Sequence, residues 1–159
     1  MIDLNKVKLV LYDFDDTLCI HKNHQCLDAD TYNTNILLYG PETFKMCKSN
    51  SSMKEFMDLC KSKNIRQGLT SHVLSVKHAD AKNEWVKKEY NIELENFCVG
   101  YAEGKVEMMN AIHSAYGYGK DEILIVDDLY PTLEKAANEG FQACTPMEIV
   151  NYIEDYKKY

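Results

Sequence analysis

Lys8-Leu9-Val10-Leu11-Tyr12-Asp13-Phe14-Asp15-Asp16-Thr17 begins as apolar backbone and ends in acid. Leu9 to Tyr12 has no polar position, so it reads as the heart of a strand, Val7 to Tyr12, buried on both faces. Three carboxylates follow within four residues, at Asp13, Asp15 and Asp16. Like charges crowded at a strand end repel one another unless a cation or a chemical task holds them there.

Three more apolar segments end in polar groups. Ile65 to Leu69 runs into Thr70-Ser71. Phe97 to Tyr101 precedes Lys105, which opens a helical pattern carrying Met109, Ile112 and Tyr116. Ile123 to Val126 runs into Asp127-Asp128. Between them the spacing predicts a helix from a Ser52-to-Glu55 capping box, with Met53, Phe56, Met57 and Cys60 on one face. A second helix is predicted from Ser75 to Tyr90, with Val76, Ala79, Val86 and Tyr90 aligned and Trp85 beside them. Pro131 suits the first turn of another helix, stopped at Gly140. Phe141 to Cys144 reads as a fifth strand, and Thr145-Pro146-Met147-Glu148 as the capped start of a final helix. The region from Leu18 to Asn50 mixes His, Asn, Asp and Tyr with the short run Ile36-Leu37-Leu38-Tyr39 and the turn signal Gly40-Pro41. It is expected to be an insertion holding one short strand or hairpin.

Strands alternating with helices imply parallel pairing and right-handed crossovers, hence an α/β, three-layer, doubly wound (Rossmann-like) sheet of five strands. With no repeat or low-complexity tract, residues 1–159 are expected to form one domain, with 18–50 as a short flap. Asp-x-Asp-x-Thr, then Thr/Ser, then Lys, then Asp-Asp is also the motif order of the haloacid dehalogenase-like hydrolase superfamily, which the chain resembles over nearly its whole length. The resemblance implies the strand order 3-2-1-4-5. That order sets strands one and four side by side at a topological switch point and brings their two acidic clusters to one crevice.

Carboxylates converging in a cleft need a compensating charge, and an all-oxygen donor set selects a hard cation such as Mg²⁺. The resemblance implies that Asp13 ligates Mg²⁺ through its side chain, residue 15 through its backbone carbonyl, and Asp127 or Asp128 as third ligand, with Asp128 favoured. It implies phosphoryl transfer through an aspartyl-phosphate on Asp13, with Asp15 as general acid and base. Thr70, or in its place Ser71, would bind phosphate, and Lys105 would neutralise its charge. Asp15 points to the phosphatase branch, since the dehalogenating and ion-pumping branches carry other residues there. Lys87, Lys88 and Lys120 are rivals for the lysine, and His72 follows the second motif. The space after motifs one and two is too short for a full cap domain, so the general look is that of small capless phosphatases of the magnesium-dependent phosphatase type. An open cleft of this kind takes either a bulky phosphorylated substrate, such as a phosphoprotein, or a small molecule enclosed by a second copy of the chain.

Composition narrows the classes. The 159 residues are 45% hydrophobic and 27% charged, ordinary for a globular chain, and no apolar run approaches the roughly 20 residues of a membrane span. A net charge of −7 argues against general attraction to nucleic acid or anionic membrane. Without an export signal the expected location is cytoplasmic, and the six cysteines are expected to be reduced thiols. Cys19, His21, His24 and Cys26 could in principle bind zinc, although their spacing is cramped for one tetrahedral ion. Two other classes stay in view. A receiver-type signalling domain would need a phosphorylated Asp after strand three, where Gly100-Tyr101-Ala102 stands instead. A catalytically idle binding or regulatory relative would keep the fold without turnover.

Overall fold

In a computed structural model, residues 2–21 and 28–157 are described. In chain order the elements are β1 (Leu9–Tyr12), β2 (Cys19–Ile20), α1 (Ala29–Tyr39), a 3₁₀ turn (Gly40–Phe44), β3 (Lys48–Ser49), α2 (Ser51–Ser62), β4 (Arg66–Leu69), β5 (His72–Val73), α3 (Val76–Tyr90), β6 (Glu95–Asn96), β7 (Val99–Gly100), α4 (Lys105–Tyr116), β8 (Ile123–Val126), α5 (Tyr130–Asn138), β9 (Gln142–Cys144) and α6 (Pro146–Tyr156). The main sheet has five strands in the order β6-β4-β1-β8-β9, every neighbouring pair parallel. This is the expected 3-2-1-4-5 arrangement.

The two faces of β1 explain why it is apolar throughout. Val10 and Tyr12 pack on one side with Phe56, Met57, Trp85 and Ile149, from α2, α3 and α6. Leu9 and Leu11 pack on the other with Val106, Met109, Ile112 and Leu133, from α4 and α5. Each such side chain contributes about 1.5–3 kcal/mol of burial, and truncating one, Leu11→Ala for example, costs about 2–5 kcal/mol. Tyr12 keeps its hydroxyl satisfied by donating to Gln67 Oε1 at 2.9 Å.

Several boundaries differ from the sequence reading. The third strand is not Phe97 to Tyr101. Glu95–Asn96 pairs with β4, whereas Val99–Gly100 pairs with β5 in a separate two-stranded sheet. The kink between them follows from local chemistry. The Cys98 N–H turns to Asn96 Oδ1 at 3.0 Å, and the Phe97 ring lies against Gly68, where an added Cβ would come within 2.5 Å of it. The Phe97 N–H donates to Leu69 O at 2.8 Å and the Val99 N–H to Ser71 O at 2.9 Å, so the break lies opposite Thr70.

The run Ile36-Leu37-Leu38-Tyr39 closes α1, a helix that the sequence reading of the insertion does not include. Asp28 caps this helix, accepting from the Thr31 N–H at 2.9 Å and the Thr31 hydroxyl at 2.7 Å. Of the run only Ile36 is buried. The expected hairpin in the insertion does exist, as antiparallel β2 and β3 flanking the helix. Both ends of the insertion are tied to α3 by Tyr90, whose hydroxyl donates to Leu18 O at 2.5 Å and accepts from Asn50 N–H at 2.8 Å.

The cap of α2 is Asn50, which accepts from the Ser52 N–H, in place of the Ser52 capping box. At α6 the Thr145–Glu148 capping box forms as read. Val76 and Tyr116, expected on buried helix faces, are exposed. No helix among the described residues is long and apolar enough to cross a membrane.

Candidate active site

Parallel register builds the first half of the site. Tyr12 pairs with Leu69 on one side and Val126 on the other, so the residues that follow leave the sheet together. The Asp13 N–H donates to Val126 O at 2.9 Å, and the Thr70 N–H to Tyr12 O at 2.8 Å. Lys105, the first residue of α4, reaches in from above its helix, donating to Asp13 Oδ1 at 2.7 Å and Asp127 Oδ2 at 2.6 Å. Asp127 is fully committed, because its Oδ1 also accepts from the Leu129 N–H at 2.9 Å. Asp13, Asp127 and Asp128 each offer a carboxylate oxygen within 4.8 Å of the others.

The electrostatics follow from burial. Asp13 lies almost wholly out of solvent, which pushes its carboxyl up to about 7; Lys105 opposes this, while Asp127 and Asp15 add to it. Burial, and then Asp127, also raises Asp128 above the ordinary carboxylate range. Burial works against the charge on Lys105, but Asp13 and Asp127 outweigh it and hold the ammonium form. Three carboxylates against one ammonium leave a cluster that suits a small, doubly charged, oxygen-loving cation. The Thr70 hydroxyl is buried beside Asp13's strand and has no hydrogen-bond partner among the described residues. An orphaned hydroxyl at such a place is set to receive one from a ligand.

A second half forms around Asp15. Past Phe14 the chain turns tightly: the Leu18 and Cys19 amides both donate to Phe14 O, and Asp16 sits at φ +55°, a conformation Asp tolerates. The Asp15 carboxylate is thereby turned away from the Asp13 group. Lys82 of α3 donates to its Oδ2 at 2.7 Å, and Tyr32 and His21 hold its Oδ1 at 3.0 and 2.8 Å. Burial opposes ionisation of Asp15, yet the His21 hydrogen bond and the Lys82 charge prevail and hold it far below the usual range. His21 in turn is raised to about 10, first by its hydrogen bond to Asp15 and then by that to Cys47. Cys47 is lowered to about 5, chiefly by its hydrogen bond from Cys19, with burial opposing and His21 helping. Lys82 Nζ also donates to Ser71 Oγ at 2.9 Å and lies 5.0 Å from the Phe14 ring centre and 5.9 Å from that of Tyr32.

No protein-family model matches the chain, and no curated protein sequence does. Solved structures do. The phosphatase domain in the N-terminal part of a Bacteroides fragilis protein, complexed with Mg, matches with a TM-score of 0.60 at 13% identity over 93% of this chain. The match spans only 39% of the chain solved there. A haloacid dehalogenase family enzyme from Bacteroides thetaiotaomicron, in complex with magnesium and inorganic phosphate, matches with a TM-score of 0.55 at 14% identity, covering 87% of this chain and 93% of the other. A haloacid dehalogenase-superfamily hydrolase of subfamily IA from Geobacter sulfurreducens matches with a TM-score of 0.59 at 11% identity, covering 87% and 86%. The fold is that of the haloacid dehalogenase-like hydrolases.

On this haloacid dehalogenase-like scaffold, Asp13, Lys105, Asp127 and Asp128 come together, and Thr70 ends the strand next to Asp13. Ser71 is drawn instead to Lys82, and Asp15 stands in the neighbouring group. The rival lysines lie elsewhere: Lys87 and Lys88 are exposed, and Lys120 pairs with Glu139 at 3.3 Å. His72 bonds to Glu103 O at 3.0 Å. His24 and Cys26 of the Cys/His cluster lie outside the described residues. Sequence reasoning missed Lys82 and Tyr32. For Lys82 a signal existed, because it falls on the same helical face as Ala79 and Val86, where an apolar residue belongs.

Proposed function

We propose that the chain is a Mg²⁺-dependent phosphomonoesterase that passes the phosphoryl group through Asp13. The observation that carries the reading is the buried Lys105 bridging Asp13 and Asp127, with Asp128 joined to them within 4.8 Å. The fold neighbours complexed with magnesium, one of them also with phosphate, support it by analogy of fold.

The residues present fit the ion: all donors are oxygen, and Asp128, whose carboxylate pairs with no side-chain donor among the described residues, is a better direct ligand than Asp127, whose two oxygens are held by Lys105 and the Leu129 N–H. Mg²⁺ would be held by Asp13, Asp128 and the Asp15 backbone carbonyl, where it supplies charge neutralisation to phosphate. Asp13 attacks phosphorus in line, forming a new carboxylate–phosphorus bond as the ester P–O bond breaks. Thr70 donates its unpartnered hydroxyl to a phosphate oxygen, and Lys105 balances the anionic charge that accumulates next to Asp13. The leaving oxygen takes a proton at Asp15, relayed from the His21 imidazolium along their 2.8 Å hydrogen bond. Water then attacks the aspartyl-phosphate, and Asp15, ionised again, removes its proton.

The substrate class is a phosphorylated small molecule or a phosphoprotein, the former with a neighbouring copy closing over the cleft. The test is hydrolysis of p-nitrophenyl phosphate with and without Mg²⁺, then of a panel of phosphorylated metabolites and phosphopeptides. Turnover that needs Mg²⁺ and disappears in Asp13→Asn supports the enzyme. No turnover by well-folded, Mg²⁺-loaded protein with any member of the panel leaves the idle binding protein.

A further inference from the structure

We propose that Cys19, His21 and Cys47 form a soft-metal site that takes Zn²⁺ through two thiolates and the His21 Nδ1, with the fourth coordination position open. The site goes beyond the phosphomonoesterase reading and stands without it.

The register of the β2–β3 hairpin produces it. Cys19 pairs with Ser49 and Ile20 with Lys48, so one further antiparallel step sets His21 across from Cys47. Cys19 and His21, two residues apart on one strand, share a face. The three ligand atoms accordingly lie within 4.8 Å of one another, and Cys47 Sγ is 3.4 Å from His21 Nδ1. A tetrahedral ion with Zn–S of about 2.3 Å and Zn–N of about 2.0–2.1 Å needs an N···S separation of roughly 3.5 Å and an S···S separation of roughly 3.8 Å. The apo geometry is thus already close to the ligand polyhedron, and closing the sulfurs takes a small side-chain adjustment.

The second ring nitrogen makes the argument stronger. His21 Nε2 meets Asp15 Oδ1 at 2.8 Å, which keeps a proton on Nε2 and leaves Nδ1, 3.4 Å from Cys47 Sγ, as the nitrogen that gives up its proton to a metal. A carboxylate holding the far nitrogen of a ligating imidazole is the usual way a protein fixes a zinc-binding histidine. Cys19 is buried and Cys47 and His21 are half-buried, so the pocket is lined by soft donors and reachable from one side. Binding releases two protons, one from the Cys19 thiol and one from the Cys47–His21 Nδ1 hydrogen bond, and two thiolates with one neutral imidazole cancel the ion's charge. Mg²⁺ is excluded by the same chemistry, since it demands oxygen donors. A filled site would lock the start of the insertion against its end and fix the ring that touches Asp15.

Stoichiometric titration of metal-free, reduced protein with Co²⁺ tests this directly. One equivalent is expected to give a thiolate-to-cobalt charge-transfer band in the near ultraviolet with the visible bands of a tetrahedral ion, bleached by Zn²⁺ and unaffected by excess Mg²⁺. Cys47→Ser and Cys19→Ser should each weaken cobalt binding at least about tenfold and diminish the charge-transfer band. Asp128→Asn should leave the spectrum as in wild type, which separates this site from the carboxylate group. No charge-transfer band in folded wild-type protein, or an unchanged band in folded Cys47→Ser, overturns the proposal. So does a Cys19–Cys47 disulfide that persists in excess reductant and keeps Co²⁺ out, because the pair is then a redox element.

Discussion

Lys105 and Lys82 are both buried lysines held by an acid of the first motif, yet they stand in different electrostatic settings. Lys105 lies between two carboxylates that are themselves out of solvent, with no aromatic ring beneath its ammonium among the described residues. Lys82 holds one carboxylate that is 39% exposed, and it rests on the Phe14 and Tyr32 rings. The first arrangement concentrates negative charge around a cation-sized gap. The second spreads a single ion pair over hydroxyl, imidazole and π partners, which is how a protein orients a proton-transfer group. On the proposed reading, the first centre serves the chemistry at phosphorus and the second the chemistry at the leaving oxygen.

The sharpest way to break this contrast is Asp13→Asn. Phosphatase kcat should fall by at least about 10³-fold while the thermal melt stays cooperative, because the nucleophile is lost without a cavity. A residual rate within tenfold of wild type would remove Asp13 from the reaction.

Replacing each lysine by Met comes next. Lys105→Met leaves Asp13 and Asp127 without their shared counter-charge and should lower kcat about 10²–10³-fold. In metal-free protein it should also cost about 3–5 kcal/mol in urea unfolding. Lys82→Met, with a partly solvated partner, should cost less stability and act mainly on the rate. Equal losses in both measurements would mean that the two centres are one.

Thr70→Val refines the first centre alone. The hydroxyl it removes is buried and unpartnered, so folding stability should change by less than about 1 kcal/mol or rise, while activity drops about 10–10²-fold. A large destabilisation would show the hydroxyl to be structural.

The smallest effect is a slope. The Asp13 carboxyl is raised to about 7 in the folded state, above its ordinary value of about 3.9. Between those values the folded chain holds a proton that the unfolded chain has lost, so stability declines as pH rises from about 4 to about 7. The difference in unfolding free energy between wild type and Asp13→Asn, measured in a chelator across that range, should carry this decline, and Mg²⁺ should flatten it. Asp15 has the opposite sign: its depressed carboxyl contributes stability above the ordinary carboxylate range and loses it only as pH falls below about 4.

What was legible in the sequence divides along similar lines. Asp13, Thr70, Lys105 and the Asp127-Asp128 pair each adjoin an apolar strand or open a strongly periodic helix, so a one-dimensional pattern carried both their element and their place. Lys82 sits in mid-helix, where a lysine ordinarily reads as solvated, and only the apolar neighbours Ala79 and Val86 on its face betray it. The helix α1 is not legible in the insertion, because four consecutive apolar residues, Ile36 to Tyr39, fit a strand or a helix equally; Asp28 and Thr31 hold the deciding signal. The third strand failed for a tertiary reason, the contact of Phe97 with Gly68, which no local periodicity encodes. Cys47 was out of reach for the same reason: only the hairpin register brings it to His21.

The central strand also divides labour within the molecule. Asp13 and Thr70 are anchored through their own amides to the backbone of neighbouring strands, in the part of the sheet with most to lose on opening. Those amides should be among the slowest in the chain to exchange with deuterium. In α1 and the turn after it, Tyr32 holds Asp15 and Ile36 and Phe44 enter the core, whereas Leu37, Leu38 and Tyr39 stand exposed. On the proposed reading, substrate preference can shift through those exposed positions while Asp13 and Thr70 stay as they are.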